Sequence, residues 1–269
     1  MIVSADSSLR FVLPTESVYL KNLSALWAVD PKLAAAIEAT EGRPSHRCEP
    51  ARSGDPTVSL PTVDGRTVCL HSKYEPRQEA IAQIEVIAVE ERFVFFIMGF
   101  ALGYLLDALA KRASVEAMFC IVEPDLLMLR TAFEQQDFSS LLESGRVLFF
   151  TQLDKADLFV RLSSHNGLLS VGCELIHHVP SRQMSPDFYK QMEIWIGELR
   201  DYSRTGLNTL IINGRKTAEN ITRNLGWYVA SPSLSRLKER YKGQPAIIVS
   251  AGPSLRKGGI ARGECEAQY

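Results

Sequence analysis

The stretch FVFFIMGFALGYLLDALAKR, residues 93–112, decides the fold. Its first six residues are aromatic or aliphatic without a break. Gly99 and Gly103 then separate them from a leucine-rich, helix-like half that runs into Asp107, Lys111 and Arg112. Phe93 to Leu106 is almost wholly apolar, yet a membrane helix needs roughly 20 such residues to cross the hydrocarbon core. A buried strand over 93–98 that turns into a helix over about 101–112 accounts for both halves.

The same alternation continues downstream. AMFCIV, residues 117–122, reads as a second buried strand; Glu123-Pro124 leads from it into a helix carrying Leu126, Leu129, Arg130 and Phe133. Residues 147–150, VLFF, read as a third strand. Upstream, HSKYEPRQEA (71–80) reads as an exposed turn opening a helix with Ala80, Ile81, Ile84 and Ile87. Strands alternating with helices of this length imply βαβ units, and so a parallel sheet covered on both faces. The expectation is an α/β, Rossmann-like domain in which 93–98 and 117–122 are neighbouring central strands.

Nearer the start, Thr15 caps a helix through Trp27 with Tyr19, Leu23 and Leu26 on one face, and Asp30-Pro31 begins another carrying Leu33, Ala34 and Ile37. Residues 41–56, rich in Pro, Gly and charge, read as a loop. Residues 57–60 and 66–70 flank Asp64-Gly65, a strong hairpin signal.

Beyond the sheet, Ser185-Pro186-Asp187 opens a long helical segment with Phe188, Met192, Trp195, Leu199 and Tyr202 on one face. A break is expected near Gly206. The spacing resumes at Ile211, Gly214, Ala218, Ile221, Leu225 and Tyr228, and Ser231-Pro232 ends it. Such helices pack on a neighbouring domain or on another copy of the chain, because an apolar stripe left in water is costly. PAIIVS, residues 245–250, reads as a new buried strand running into Ala251-Gly252-Pro253-Ser254-Leu255, and RKGGIARGECEAQY has no apolar periodicity. The expected division is therefore a Rossmann-like domain over 1–184, a helical connector over 185–232, and the truncated start of a second α/β domain over 243–269.

Composition excludes several classes of function. In 269 residues, 46% hydrophobic and 23% charged, the formal net charge is -1, so no global field favours nucleic acid or an anionic membrane as a partner. The five cysteines, Cys48, Cys69, Cys120, Cys173 and Cys265, include no CxxC pair, which argues against a zinc site or a disulfide framework. They read as reduced thiols, with Cys69 and Cys120 in buried strands. The first eighteen residues lack a basic segment followed by a long apolar one, so no signal peptide is expected and the setting is cytoplasmic.

Two segments are candidates for binding chemistry. Gly99 and Gly103 follow a strand, and Glu123 closes the next one. In nucleotide-binding folds glycines admit a phosphate to the backbone, and an acid about 20 residues on takes ribose hydroxyls. GFALG is not GxGxxG, however, and Phe100, Ala101 and Leu102 are bulky for a pyrophosphate cradle; a tight, closely packed turn is the competing reading. Gly252-Pro253-Ser254-Leu255 stands directly after a strand, where its amides and the Ser254 hydroxyl can face a phosphate. His177-His178 reads as a surface or sheet-edge pair rather than as metal ligands, since adjacent strand residues point opposite ways. His71, Tyr74 and Arg77 fit a binding loop or a solvated turn with Arg77 paired to a carboxylate. No catalytic triad, metal site or resident cofactor follows from the spacing.

In order along the chain, YLKNLSAL, HSKYEPRQEA, FVFFIMGFALGYLLDAL, FCIVEPD, TAENITRNL and PAIIVSAGPSL together resemble the motility accessory factor family of flagellin glycosyltransferases. PAIIVSAGPSL is the most specific of them, and the likeness extends through Leu255. The resemblance implies an N-terminal α/β domain and a central domain opened by Gly252, Pro253, Ser254 and Leu255. That central domain is similar to sialyltransferases and to archaeal 6-hydroxymethylpterin diphosphokinases. It further implies transfer of a nonulosonic, sialic-acid-like sugar from a CMP-activated donor to Ser or Thr of flagellin. Flagellin and a nucleotide sugar are thus the candidate partners. After Leu255 the family continues with an acidic residue and a whole domain, whereas Arg256-Lys257-Gly258-Gly259 stand here. The chain is accordingly expected to transfer no sugar by itself, the alternatives being a non-catalytic module that binds flagellin or an assembly partner, or a pterin diphosphokinase-like protein.

Overall fold

A computed structural model describes residues 17–41, 46–62 and 65–245. Thr15, Asp64 and the segment Gly252–Leu255 lie outside the described residues, as does all but the first residue of the expected strand over 245–250. The chain opens with α1 (Val18–Val29) and α2 (Pro31–Glu38), then three short strands, β1 (Cys48–Pro50), β2 (Pro56–Pro61) and β3 (Thr67–Cys69). The α/β alternation follows as α3 (Pro76–Glu85), β4 (Val94–Met98), α4 (Tyr104–Ala110), β5 (Met118–Val122), α5 (Leu126–Gln135), α6 (Ser139–Glu143) and β6 (Val147–Phe150). After it come α7 (Lys155–Leu162), α8 (Asn166–Val171), β7 (Cys173–His177), α9 (Val179–Met184) and α10 (Pro186–Ala230).

Four strands form a parallel sheet in the order β6-β5-β4-β7. As expected from their unbroken apolar character, β4 and β5 are adjacent, central and buried at every residue. Alternation then divides the side chains between two faces. Phe95, Ile97, Phe119 and Ile121 pack with Leu129, Phe133, Leu105 and Leu109 of α5 and α4. Val94, Phe96, Met98, Cys120 and Val122 pack with Leu158 and Leu162 of α7 and with Tyr189, Met192, Ile196 and Leu199 of α10. The register aligns Met98 with both Val122 and His177, and Val122 with Phe150. Gly99, Glu123, Thr151 and His178 therefore follow their strands at one edge of the sheet. Two more features match the sequence reading: α2 begins at Asp30-Pro31, where Asp30 accepts from the Leu33 amide, and β2 pairs antiparallel with β3.

Four expectations need correction. Residues 41–56 hold a strand, β1, which pairs antiparallel with β2; the segment's richness in Pro, Gly and charge masked it. The helix expected from about residue 101 begins at Tyr104, because residues 99–103 form a turn with positive φ at Gly99, Ala101 and Gly103. No break occurs at Gly206: α10 runs unbroken through it, a lone glycine costing a helix only about 1 kcal/mol. The buried stripe of α10 also differs in part: Met192 and Leu199 are buried as expected, but Tyr189, Ile196 and Ser203 stand where Phe188, Trp195 and Tyr202 were expected. Tyr189, Met192, Ile196, Leu199 and Ser203 are buried, Phe188 and Trp195 flank them, and Tyr202 is exposed. Met192→Ala is thus expected to cost about 2–5 kcal/mol in urea unfolding, and Tyr202→Ala less than about 1 kcal/mol. Equal losses would show that the stripe has been placed wrongly.

The chain divides into two units after Ile212. The first holds both sheets. In the second, the described residues form the last turns of α10 and a short 3-10 turn over Leu234–Leu237. Among the described residues no helix is long and apolar enough to cross a membrane.

Candidate functional site

The order β6-β5-β4-β7 reverses direction between β4 and β7, and in open parallel sheets ligands bind at that reversal, outside the carboxyl ends of the strands. The residues singled out from the sequence meet there. Gly99, at φ +103°, ends β4, and a Cβ built on it would stand 2.4 Å from Cβ of Ser181 and 3.0 Å from Cβ of His178. Only glycine fits both the backbone angle and the space. Gly103, at φ +77°, is pressed as closely by the Phe138 ring. Between the two glycines the backbone turns its amides inward, the arrangement that cradles a phosphate in nucleotide-binding folds.

Here those amides have a partner from within the chain. Oε2 of Glu123 accepts from the amide of Phe100 at 2.9 Å and of Ala101 at 3.5 Å, while Oε1 accepts from the Asp125 amide at 3.1 Å. The Leu102 amide donates to Nε2 of His71 at 3.0 Å, and the side-chain amide of Gln136 donates to the Leu102 carbonyl. The structure therefore brings Gly99, Gly103 and Glu123 together as the sequence suggested, with the acid on the loop's own backbone. A phosphate reaches these amides only by displacing Glu123. Gly252, Pro253, Ser254 and Leu255 lie outside the described residues.

Burial sets the electrostatics. It pushes the Glu123 carboxyl up to about 7, against the pull of the Phe100 and Asp125 amides and with a further push from the Asp125 charge. Asp125 goes the other way. Burial alone would raise it, but the hydrogen bond and charge of His46, at 2.8 Å, and the amides of Met128 and Leu127 bring it below the usual carboxylate range. Burial, followed by the charge of His178, holds His71 well below an ordinary histidine. Burial likewise brings His178 down to about 4, although the Leu70 backbone opposes it. Both rings are neutral at pH 7, with centroids 5.1 Å apart.

A cavity of about 320 Å³ opens beside Glu123, between Asp125, Met128, Ser181, Ser185 and Tyr189. It holds two acids, a phenol and two hydroxyls but no cation. The Ser181 hydroxyl lies 2.7 Å from Nδ1 of His178, a spacing seen in serine nucleophiles. Yet Nδ1 also accepts from the Ser181 amide, and Ser181 is buried against Gly99, so the pair serves as the cap of α9. His178 is thus a buried cap rather than a surface or edge residue. His177 is half-buried, with Nδ1 3.2 Å from Glu193. Arg77 pairs with Asp55 at 2.8 Å and Asp107 at 3.1 Å, so the turn around it takes the carboxylate-paired form, with Tyr74 exposed and His71 buried. Cys120 is buried as expected, but Cys69 is only half-buried. Among the described residues no group of His, Cys, Asp or Glu is placed to hold a metal ion.

His71 and Gln136 were missed by the sequence reading as parts of this site. They are 31 and 34 residues from the loop they hold, and no local spacing signals such a contact.

Strand order, switch point and glycine turn define a Rossmann-like α/β domain. No family model matches the chain. Over 252 residues it is 23% identical to an uncharacterized protein of Treponema pallidum (strain Nichols), covering 90% of this chain and 83% of the relative. The MAf glycosyltransferase from Magnetospirillum magneticum AMB-1 superposes with a TM-score of 0.51 at 16% identity, covering 68% of this chain and 35% of that one. At that identity the likeness is one of fold, and this chain spans about a third of the glycosyltransferase's length.

Proposed function

We propose that the α/β domain is the non-catalytic N-terminal module of a motility accessory factor-like glycosyltransferase. The observation that carries this reading is the occupied turn. A fold shared with the MAf glycosyltransferase is combined with a switch point whose phosphate-facing amides are taken by Glu123. Glu123, Gly99 and Gly103 act as a permanent clasp, and the domain presents its surface to the rest of the enzyme and to flagellin. By the sequence resemblance, the transferred group is a nonulosonic sugar carried by CMP, and its phosphate meets Gly252, Pro253, Ser254 and Leu255. Donors held around that phosphate would offset the charge that develops as it leaves the anomeric carbon.

A graft tests the proposal. Residues 1–245 replace the corresponding domain of the MAf glycosyltransferase, and flagellin is weighed by mass spectrometry after incubation with a CMP-activated nonulosonic acid. Glycosylation is expected, unchanged by Glu123→Gln. A folded graft that binds flagellin and leaves its mass unaltered would overturn the assignment. The ungrafted chain is expected to transfer nothing; turnover lost in Ser254→Ala would place the chemistry within it.

A further inference from the structure

Within α10, Ile211, Gly214, Ala218, Ile221, Leu225 and Tyr228 recur at strict spacings of three and four, the seam of a two-stranded coiled coil. The described residues leave it uncovered. Ile211 is 70% exposed, Ile221 55%, Leu225 55% and Tyr228 70%, and a Cβ on Gly214 would meet nothing within 4 Å. We propose that two copies of this chain pair along this seam as an antiparallel coiled coil. The inference does not depend on what the α/β domain serves.

Side-chain volumes choose both the partner and its direction. In a parallel pair each seam residue meets its own copy, so Gly214 faces Gly214 and Ala218 faces Ala218, leaving a void across two successive layers. Turned antiparallel about the midpoint between Ala218 and Ile221, the same stripe complements itself. Ala218 meets the other copy's Ile221, Gly214 its Leu225 and Ile211 its Tyr228, with every small residue against a large one. Close packing favours that match, because voids forfeit contacts that nothing else supplies. The flanks allow it: Arg215 and Thr222 border one side of the seam and Thr217 and Asn224 the other, so no like charges are apposed. Tyr189, Met192, Ile196 and Leu199 are buried at the start of the same helix, which forms it before pairing and lowers the ordering cost of association.

Cysteines at the ends of the seam give the decisive test. With a rise of 1.5 Å per residue, Ile211 and its own copy are about 26 Å apart in the antiparallel pair and adjacent in a parallel one. Full-length Ile211→Cys and Tyr228→Cys chains are oxidised separately and mixed, and the linked peptides are read by mass spectrometry. The expected result is a 211–228 link in the mixture alone. A 211–211 link in the single variant overturns the direction proposed. Sedimentation equilibrium of the unmodified chain should show a monomer–dimer equilibrium shifted at least tenfold toward monomer by Ile221→Asp. Lys216→Asp, on the opposite face, controls for folding and should leave it unchanged. A chain that stays monomeric at every concentration overturns the pairing and assigns the seam to another segment or partner.

Discussion

Replacing Glu123 with alanine is expected to destabilise the native chain by about 3–5 kcal/mol, measured as a lowered urea midpoint at pH 7 with unchanged slope. The carboxylate accepts from the amides of Phe100, Ala101 and Asp125, all in the tightest part of the switch point. Each buried donor left without a partner costs about 1–3 kcal/mol. Loss of the buried acid's own desolvation penalty offsets part of that, so the sum falls below three full donors. Glu123→Gln keeps one acceptor oxygen and is expected to lose less, about 1–2 kcal/mol.

The same pair of proteins carries a pH signature. An unfolded glutamate ionises near 4.5, whereas Glu123 keeps its proton to about 7. Between those values the native state binds more protons than the unfolded one, so the contribution of Glu123 falls as pH rises from 4.5 to 7. His71 and His178 act in the opposite sense. They stay neutral when folded while their unfolded forms protonate below 6.5, so the contribution of His178 grows as pH rises from about 4 to 6.5, and that of His71, also held well below the ordinary value, grows in the same direction. The wild-type profile alone mixes the two. The difference in stability between wild type and Glu123→Gln isolates the acid and is expected to shrink steadily from pH 4.5 to 7. A difference independent of pH would mean that the carboxyl titrates normally.

Gly99→Ala is expected to be equally damaging, at about 3–5 kcal/mol or enough to prevent folding at 37 °C. The new methyl would lie 2.4 Å from Cβ of Ser181 and 2.8 Å from its hydroxyl, and the residue would keep a φ of +103° that an L side chain rarely adopts. Overpacking of this kind costs about 1–3 kcal/mol, and a strained backbone angle about as much again. Ser181→Gly in the same chain removes the contact with Ser181 but leaves the 3.0 Å approach to Cβ of His178 and the backbone strain, so it should restore at most about half of the loss. Full rescue by Ser181→Gly would show that the angle carries no cost, and no rescue would show that the steric contact is misplaced.

The two glycines also mark how far the sequence was legible. Period and hydrophobicity placed β4, β5 and β6 and the adjacency of β4 and β5, because a strand buried on both faces has a signature few other elements share. Local signals likewise announced a helix start at Asp30-Pro31 and at Pro186, the start of α10. What escaped depends on contacts distant in sequence. The amides of Phe100 and Ala101 could have faced a ligand as well as Glu123, 23 and 22 residues away, and only the fold decides between them. Along α10 Met192 and Leu199 were legible, but Tyr189 is buried in place of Phe188, because the two aromatics compete for one face and the sheet selects Tyr189. Gly206 suggested a break because propensity is local, while the hydrogen-bond ladder of a long helix absorbs one glycine.

The Rossmann-like crevice holds the chain's own Glu123 carboxyl group against the loop amides, in the place of a ligand's phosphate. Amide hydrogen exchange at Phe100 and Leu102, followed by NMR with and without millimolar CMP, tests that most directly. The expected exchange is as slow as that of the core strands, with neither amide shifted by the nucleotide. Rapid exchange at Phe100, or a saturable shift of either signal on adding CMP, would contradict it.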